Sequence, residues 1–130
     1  MRIKVVLATA AVAAVSLVPA ASAERAEPSA VPTKKVLVRD YFFASGAKVL
    51  SLDNSVTVRP DTYILWVWPN VGGDLHDVKL VRKPAGVKRF HSELAASDYR
   101  YRRKLTKVGR YRMICTLHPD QMVMNVRVRR

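Results

Sequence analysis

One cysteine, Cys115, and three histidines, His76, His91 and His118, are all the thiol and imidazole that this chain of 130 residues carries. A single thiol excludes an internal disulfide, so the fold must rest on its core. Acidic residues are scarce as well: 10 Asp and Glu face 23 Lys and Arg, for a formal charge of +13. Such a field favours acidic partners and anionic surfaces, and it bears on encounter rather than on fold. Long apolar runs are absent except at the start. No internal repeat, long amphipathic helix or second domain is visible in the rest.

The opening run is Val5 to Val18, preceded by Arg2 and Lys4 and followed by Ala21-Ser22-Ala23. It falls short of the roughly 20 apolar residues that a bilayer span requires. A basic start, a short apolar stretch and a small-x-small site describe a secretory signal peptide, residues 1–23, cleaved after Ala23. The expected location is periplasmic or extracellular, with association to the cell envelope by charge. No cysteine near the cleavage site is available for lipid attachment, and no transmembrane segment is expected in the mature chain. Loss of Arg2 and Lys4 would take the formal charge from +13 to +11. Nucleic acid is not the expected partner, because the basic residues are scattered and the chain is exported. The densest cluster, Arg100, Arg102, Arg103, Lys104 and Lys107, reads as a solvated strand-and-loop face rather than a docking patch.

Residues 24–34, with Pro28 and Pro32 among small and charged residues, read as a flexible leader. The domain then spans 35–130. Its texture is short β-rich runs broken by turns: Lys35–Phe43, Lys48–Leu52, Ser55–Arg59, Tyr63–Trp68, Asp77–Arg82, Tyr99–Leu105, Arg110–Cys115 and Met124–Arg129. Tyr63–Trp68 is apolar on both faces, as in a strand at the middle of a sheet. Pro84–Asp98 is the least strand-like part, and Ser92–Ala96 suggests one helical turn. The expected class is all-β, a Greek-key antiparallel sandwich of about seven to eight strands.

The chemistry concentrates in Cys115-Thr116-Leu117-His118-Pro119-Asp120-Gln121-Met122. A thiolate, an imidazole and a thioether at this spacing can converge on one metal ion, with His76 as the upstream imidazole. Two His, one Cys and a long axial Met form the known donor set of blue-copper sites, so the expected cofactor is one copper ion cycling between Cu(II) and Cu(I). Without His118 and Met122 nearby, Cys115 would read as an inert buried thiol. Met124 lies on the same side as Met122 by strand alternation and is the alternative axial ligand. Asp120 and Gln121 are minor candidates. Met122 is preferred, since Met124 continues the core-facing series of Val126 and Val128. His91, in a charged loop, reads as solvated. Trp66, Trp68 and Tyr111 read as core.

The stretch from Val56 to Val128 resembles the cupredoxins, the small blue copper proteins that include plastocyanin, azurin and amicyanin. Val56-Thr57-Val58-Arg59-Pro60-Asp61-Thr62 with Ile64-Leu65-Trp66 is similar to their Pro-Gly-Asp turn and following strand. Leu105-Thr106-Lys107-Val108-Gly109-Arg110-Tyr111 is similar to the lead-in to their ligand cysteine, and Cys115-Thr116-Leu117-His118-Pro119 to their ligand loop. The resemblance implies His76, Cys115, His118 and Met122 as metal ligands, and Asp77 and Thr116 as residues tying the two ligand segments together. It departs at three places. Asp77 stands where Asn is usual, and its carboxylate would favour Cu(II) and lower the potential. The Gly of the Pro-Gly-Asp turn is missing, and Met124 stands where Gly is frequent.

The implied function is a monomeric electron shuttle, not an enzyme, because four protein ligands leave no open position for substrate. Too few histidines remain for a multicopper oxidase or nitrite reductase. Leu117 and Pro119 beside His118 would form the apolar exchange patch, and the partner would be a redox protein acidic at its docking face. The alternative is a copper carrier or storage protein of the envelope. Ranked last is a secreted sandwich that binds an anionic envelope component with Cys115 unmetallated.

Overall fold

The computed structural model describes residues 30–45 and 54–130. Among these residues eight strands run in chain order: β1 Thr33–Arg39, β2 Phe42–Ala44, β3 Ser55–Val58, β4 Thr62–Trp68, β5 Lys79–Arg82, β6 Tyr99–Leu105, β7 Gly109–Ile114 and β8 Val123–Val128. They form two four-stranded sheets, ordered β2-β1-β4-β6 and β3-β8-β7-β5. No helix occurs among the described residues. The molecule is thus the all-β sandwich that the alternating runs predict.

The core lies between the sheets. Alternation along β4 buries Ile64, Trp66 and Trp68, and β7 and β8 contribute Tyr111, Met113, Met124, Val126 and Val128. Val36, Val38 and Phe43 close it from the first sheet. Fully burying side chains of this size contributes about 1.5–3 kcal/mol each, the main term holding a disulfide-free domain together. The core reading of Trp66, Trp68 and Tyr111 agrees with their burial.

Several local expectations are corrected. The sheets are mixed, not purely antiparallel: β1 runs parallel to β4, and β3 parallel to β8. Among the described strands, only β1–β2 and β7–β8 are consecutive within one sheet. Every other connection changes sheet, and those crossings bring β1 and β4 side by side in the same direction. Alternation specifies which face of a strand is buried, not which strand lies beside it.

The run Lys35–Phe43 is a hairpin rather than one strand. It reverses at Asp40-Tyr41, with Arg39 opposite Phe42 and Tyr41 at a φ of 66°. β1 also begins at Thr33, inside the segment read as a leader, because pairing with β4 already starts at Thr33 and Tyr63. Residues 1–23, most of the leader and the expected strand Lys48–Leu52 lie outside the described residues.

Ser92–Ala96 is not helical. This stretch runs along the open edge of β5, joined by bridges between His76 and Ala95 and between Lys79 and His91. Ser92 N–H donates to the Val78 carbonyl (3.0 Å) and Leu80 N–H to the Phe90 carbonyl (3.0 Å). The loop thereby satisfies backbone groups that an edge strand would leave exposed.

Candidate metal centre

Two segments meet at one end of the sandwich. The first is the β4–β5 connection, which carries His76. Its backbone is fixed on both sides: His76 N–H donates to the Ala95 carbonyl and Ala95 N–H to the His76 carbonyl, each at 3.0 Å. Trp68 Nε1–H donates to that same His76 carbonyl at 3.2 Å. The second is the turn from β7 to β8. There Met122 N–H donates to the His118 carbonyl (2.9 Å) and Cys115 N–H to the Met122 carbonyl (3.0 Å), closing the turn on itself.

Cys115 Sγ lies 3.8 Å from His76 Nδ1 and 3.7 Å from His118 Nδ1. The three donor atoms all lie within 4.8 Å of one another. A first-row metal bound at about 2.0–2.1 Å to nitrogen and about 2.3 Å to sulfur, at trigonal angles, would set S and N about 3.8 Å apart. Both sulfur–nitrogen separations therefore match those of donors that share one ion. His76 and Cys115 are buried and His118 is half-buried, so His118 is the donor nearest to solvent.

Met122 and Met124 are both fully buried. The β7–β8 register sets Met113 opposite Met124, and the Cys115–Met122 hydrogen bond extends that ladder by one more pair. Met122 is therefore the direct cross-strand neighbour of Cys115 on the face that turns inward. Met124 stands two pairs further along the ladder, on the same face.

Two carboxylates hold the imidazoles and the ligand turn. Asp40, at the tip of the β1–β2 hairpin, meets His76 Nε2 through Oδ1 at 3.0 Å. This contact fixes the tautomer and leaves Nδ1 facing the sulfur. The His76 bond, reinforced by Asp74 N–H, holds the Asp40 carboxyl below the usual carboxylate range. Tyr41, next in the hairpin, donates its hydroxyl to Asp74 Oδ2 at 2.5 Å, and that bond pushes the phenol up. Its ring packs edge-on against His118, with centroids 4.9 Å apart, and 6.1 Å from that of His76.

Asp77 Oδ1 accepts Thr116 N–H (2.6 Å), while Oδ2 accepts the Thr116 hydroxyl (2.5 Å) and meets His91 Nε2 (2.7 Å). Burial works to raise the Asp77 carboxyl. The bonds from His91, the Thr116 hydroxyl and the Thr116 N–H outweigh it and hold the group low. Asp77 thus joins the His76 segment to the Cys115 segment, in spite of the usual Asn being absent.

Of the residues that sequence reasoning singled out, His76, Cys115 and His118 form one donor cluster, Met122 pairs with Cys115 through its backbone, and Asp77 bonds Thr116. It missed Asp40 and Tyr41, which it placed inside a strand; the polar Asp40 interrupting an apolar alternation was the available signal. It also set His91 aside as solvated. His91 is outside the donor cluster, yet it bonds Asp77, and no local pattern announces a contact 14 residues away in sequence.

No family model matches the chain, and no curated protein matches it. Solved structures do. A reduced mutant of amicyanin superimposes with a TM-score of 0.59 at 19% identity, covering 77% of this chain and 85% of that one. A pseudoazurin from Sinorhizobium gives 0.58 at 16%, covering 76% and 75%. A copper-containing nitrite reductase from Thermus scotoductus gives 0.57 at 24%, covering 85% of this chain but only 25% of the enzyme. The sandwich, with a His-Cys-His cluster and Met122 at its end, has the cupredoxin-like fold.

Proposed function

We propose that the chain is a type 1 copper protein that passes single electrons between larger redox proteins. The observation that carries this reading is the placement of Cys115 Sγ at 3.7 and 3.8 Å from two imidazole Nδ1 atoms, with Met122 as its cross-strand neighbour. His76, Cys115 and His118 would hold the ion and Met122 would be the weak axial donor. Copper supplies one-electron cycling between Cu(II) and Cu(I) when bound.

The residues of this chain supply the rest. Cys115 offers a soft thiolate and a covalent path out of the site. Asp40 holds the His76 imidazole and Asp77 holds the ligand turn at Thr116, which restrains the donors to one arrangement in both oxidation states. Four protein donors leave no position for a substrate, which favours a carrier of electrons over an enzyme. Around His118 and His76 stand exposed apolar side chains, Tyr41, Leu117 and Leu75, that can exclude water at a docking face. The expected partner is acidic, given a formal charge that falls only from +13 to +11 on loss of Arg2 and Lys4. The reading includes export by residues 1–23 and a monomeric mature protein. It supports a periplasmic or cell-envelope location.

Voltammetry of the copper-loaded protein tests the role. Reversible one-electron cycling with copper retained through repeated sweeps is expected. Ready loss of Cu(I) to a weak chelator on reduction would instead indicate a copper carrier.

A further inference from the structure

The second sheet carries, on its outer face, a hollow of about 390 Å³ lined by Arg82, Arg110, Arg112 and Arg127, with Thr57 and Asn125 among them. Alternation puts these side chains outward, while Tyr111, Met113, Val126 and Val128 from the same strands fill the core. Arg110 stands directly opposite Arg127, and Arg112 opposite Arg82. Like charges facing each other across a ladder destabilise a sheet. Among the described residues, no carboxylate lines the hollow, and the ion pairs lie elsewhere, at Asp40, Asp77 and Asp61.

The basic cluster conspicuous in the sequence differs. On β6, Arg102 lies over the Tyr63 ring at 4.3 Å, Arg103 over Tyr101 at 5.1 Å, and Lys104 reaches Asp61 at 3.9 Å. Those cations are engaged within the fold, whereas the four in the hollow make no ion pair or ring contact with another described residue.

We propose that this hollow binds a linear polymer of phosphate groups. Guanidinium forks match phosphate oxygens in pairs, which a lysine does not. Neighbouring strands lie about 4.8 Å apart and alternate residues about 6.8 Å apart along a strand, so the four long side chains can reach several phosphates of one polymer at once. A folded protein partner fits less well. Stable protein interfaces centre on buried apolar anchors, and none of the exposed large apolar side chains, Val31, Tyr41, Val71, Leu75, Leu94, Val108 and Leu117, lines the hollow.

Titration of the full-length chain with short-chain linear polyphosphate, at two salt concentrations, tests the proposal. The double variant Arg110→Gln/Arg127→Gln should weaken binding by about ten-fold or more and lower the salt slope by about two. The double variant Arg100→Gln/Lys104→Gln on β6 removes the same charge and should change affinity by less than about two-fold. Without ligand, the first variant should also melt higher than the parent, since its facing charges are gone. Equal losses in both variants would overturn the proposal and leave only long-range charge. Equally tight binding of poly-glutamate of matched length would also overturn it, as would a lower melting temperature for Arg110→Gln/Arg127→Gln.

Discussion

Cys115 and Met122 face each other across the last pair of the β7–β8 ladder, while Met124 faces Met113 two pairs deeper. The two methionines should therefore respond differently to replacement by leucine. Met122→Leu should shift the reduction potential and the visible spectrum of the copper form. Met124→Leu, a volume-conserving change in a packed core, should cost less than about 1.5 kcal/mol and leave the spectrum unchanged. Optical spectra and urea melts of the two variants check this. Asp77 makes a second prediction. Its folded-state carboxyl is held low by His91 and Thr116 against the cost of burial, so its stabilisation is present above the unfolded carboxylate pKa. That stabilisation is lost as pH falls through the lower, folded value. Acid melts of Asp77→Asn should accordingly show a shallower loss of stability below the ordinary carboxylate range than the parent. Removing the negative charge should also raise the reduction potential by tens of mV. An unchanged potential would contradict the effect expected of the Asp77 carboxylate.

Between elements, the decisive feature is that the β1–β2 hairpin and the β4–β5 connection lock against each other. Asp40 bonds both His76 Nε2 and Asp74 N–H, and Tyr41 reaches back to Asp74. Gly73 lets the connection come this close: its φ of 143° disfavours any side chain, and a Cβ there would sit 2.5 Å from Asp40 Oδ1. Gly73→Ala should therefore destabilise the fold by about 1–3 kcal/mol in urea titration. Asp40→Ala should lower metal affinity by about 10–100-fold, read by competition with a chelator, with little effect on the core. The sequence carried the ligand turn openly, because Cys115, His118 and Met122 lie within one loop whose donor types are chemically unusual together. His76 was readable only as the remaining imidazole before a strand. The hairpin was hidden, because Lys35–Phe43 keeps strand-forming residues straight through its turn and Tyr41 is an unexpected residue at positive φ. Sheet order was hidden too, since every strand alternates in the same way and the parallel pairs follow from crossings between sheets.

At the scale of the whole molecule, apolar and basic surface are divided between the end and the faces of the sandwich. The end holds the donor cluster and a rim of exposed Tyr41, Leu75 and Leu117, whereas the basic residues spread over the outer faces of both sheets. Charge should therefore govern approach and the apolar rim should govern close contact. Electron exchange with an acidic redox protein should slow as ionic strength rises, and stopped-flow rates across a salt series measure this. The central claim is that Cys115 Sγ bonds copper together with His76 and His118. Its most direct test is to add Cu(II) to the purified protein and record visible absorption and electron paramagnetic resonance. An intense blue thiolate-to-copper band with narrow parallel hyperfine splitting is the predicted result. A pale solution with ordinary tetragonal copper parameters would contradict it, because Cys115 would then not be a ligand.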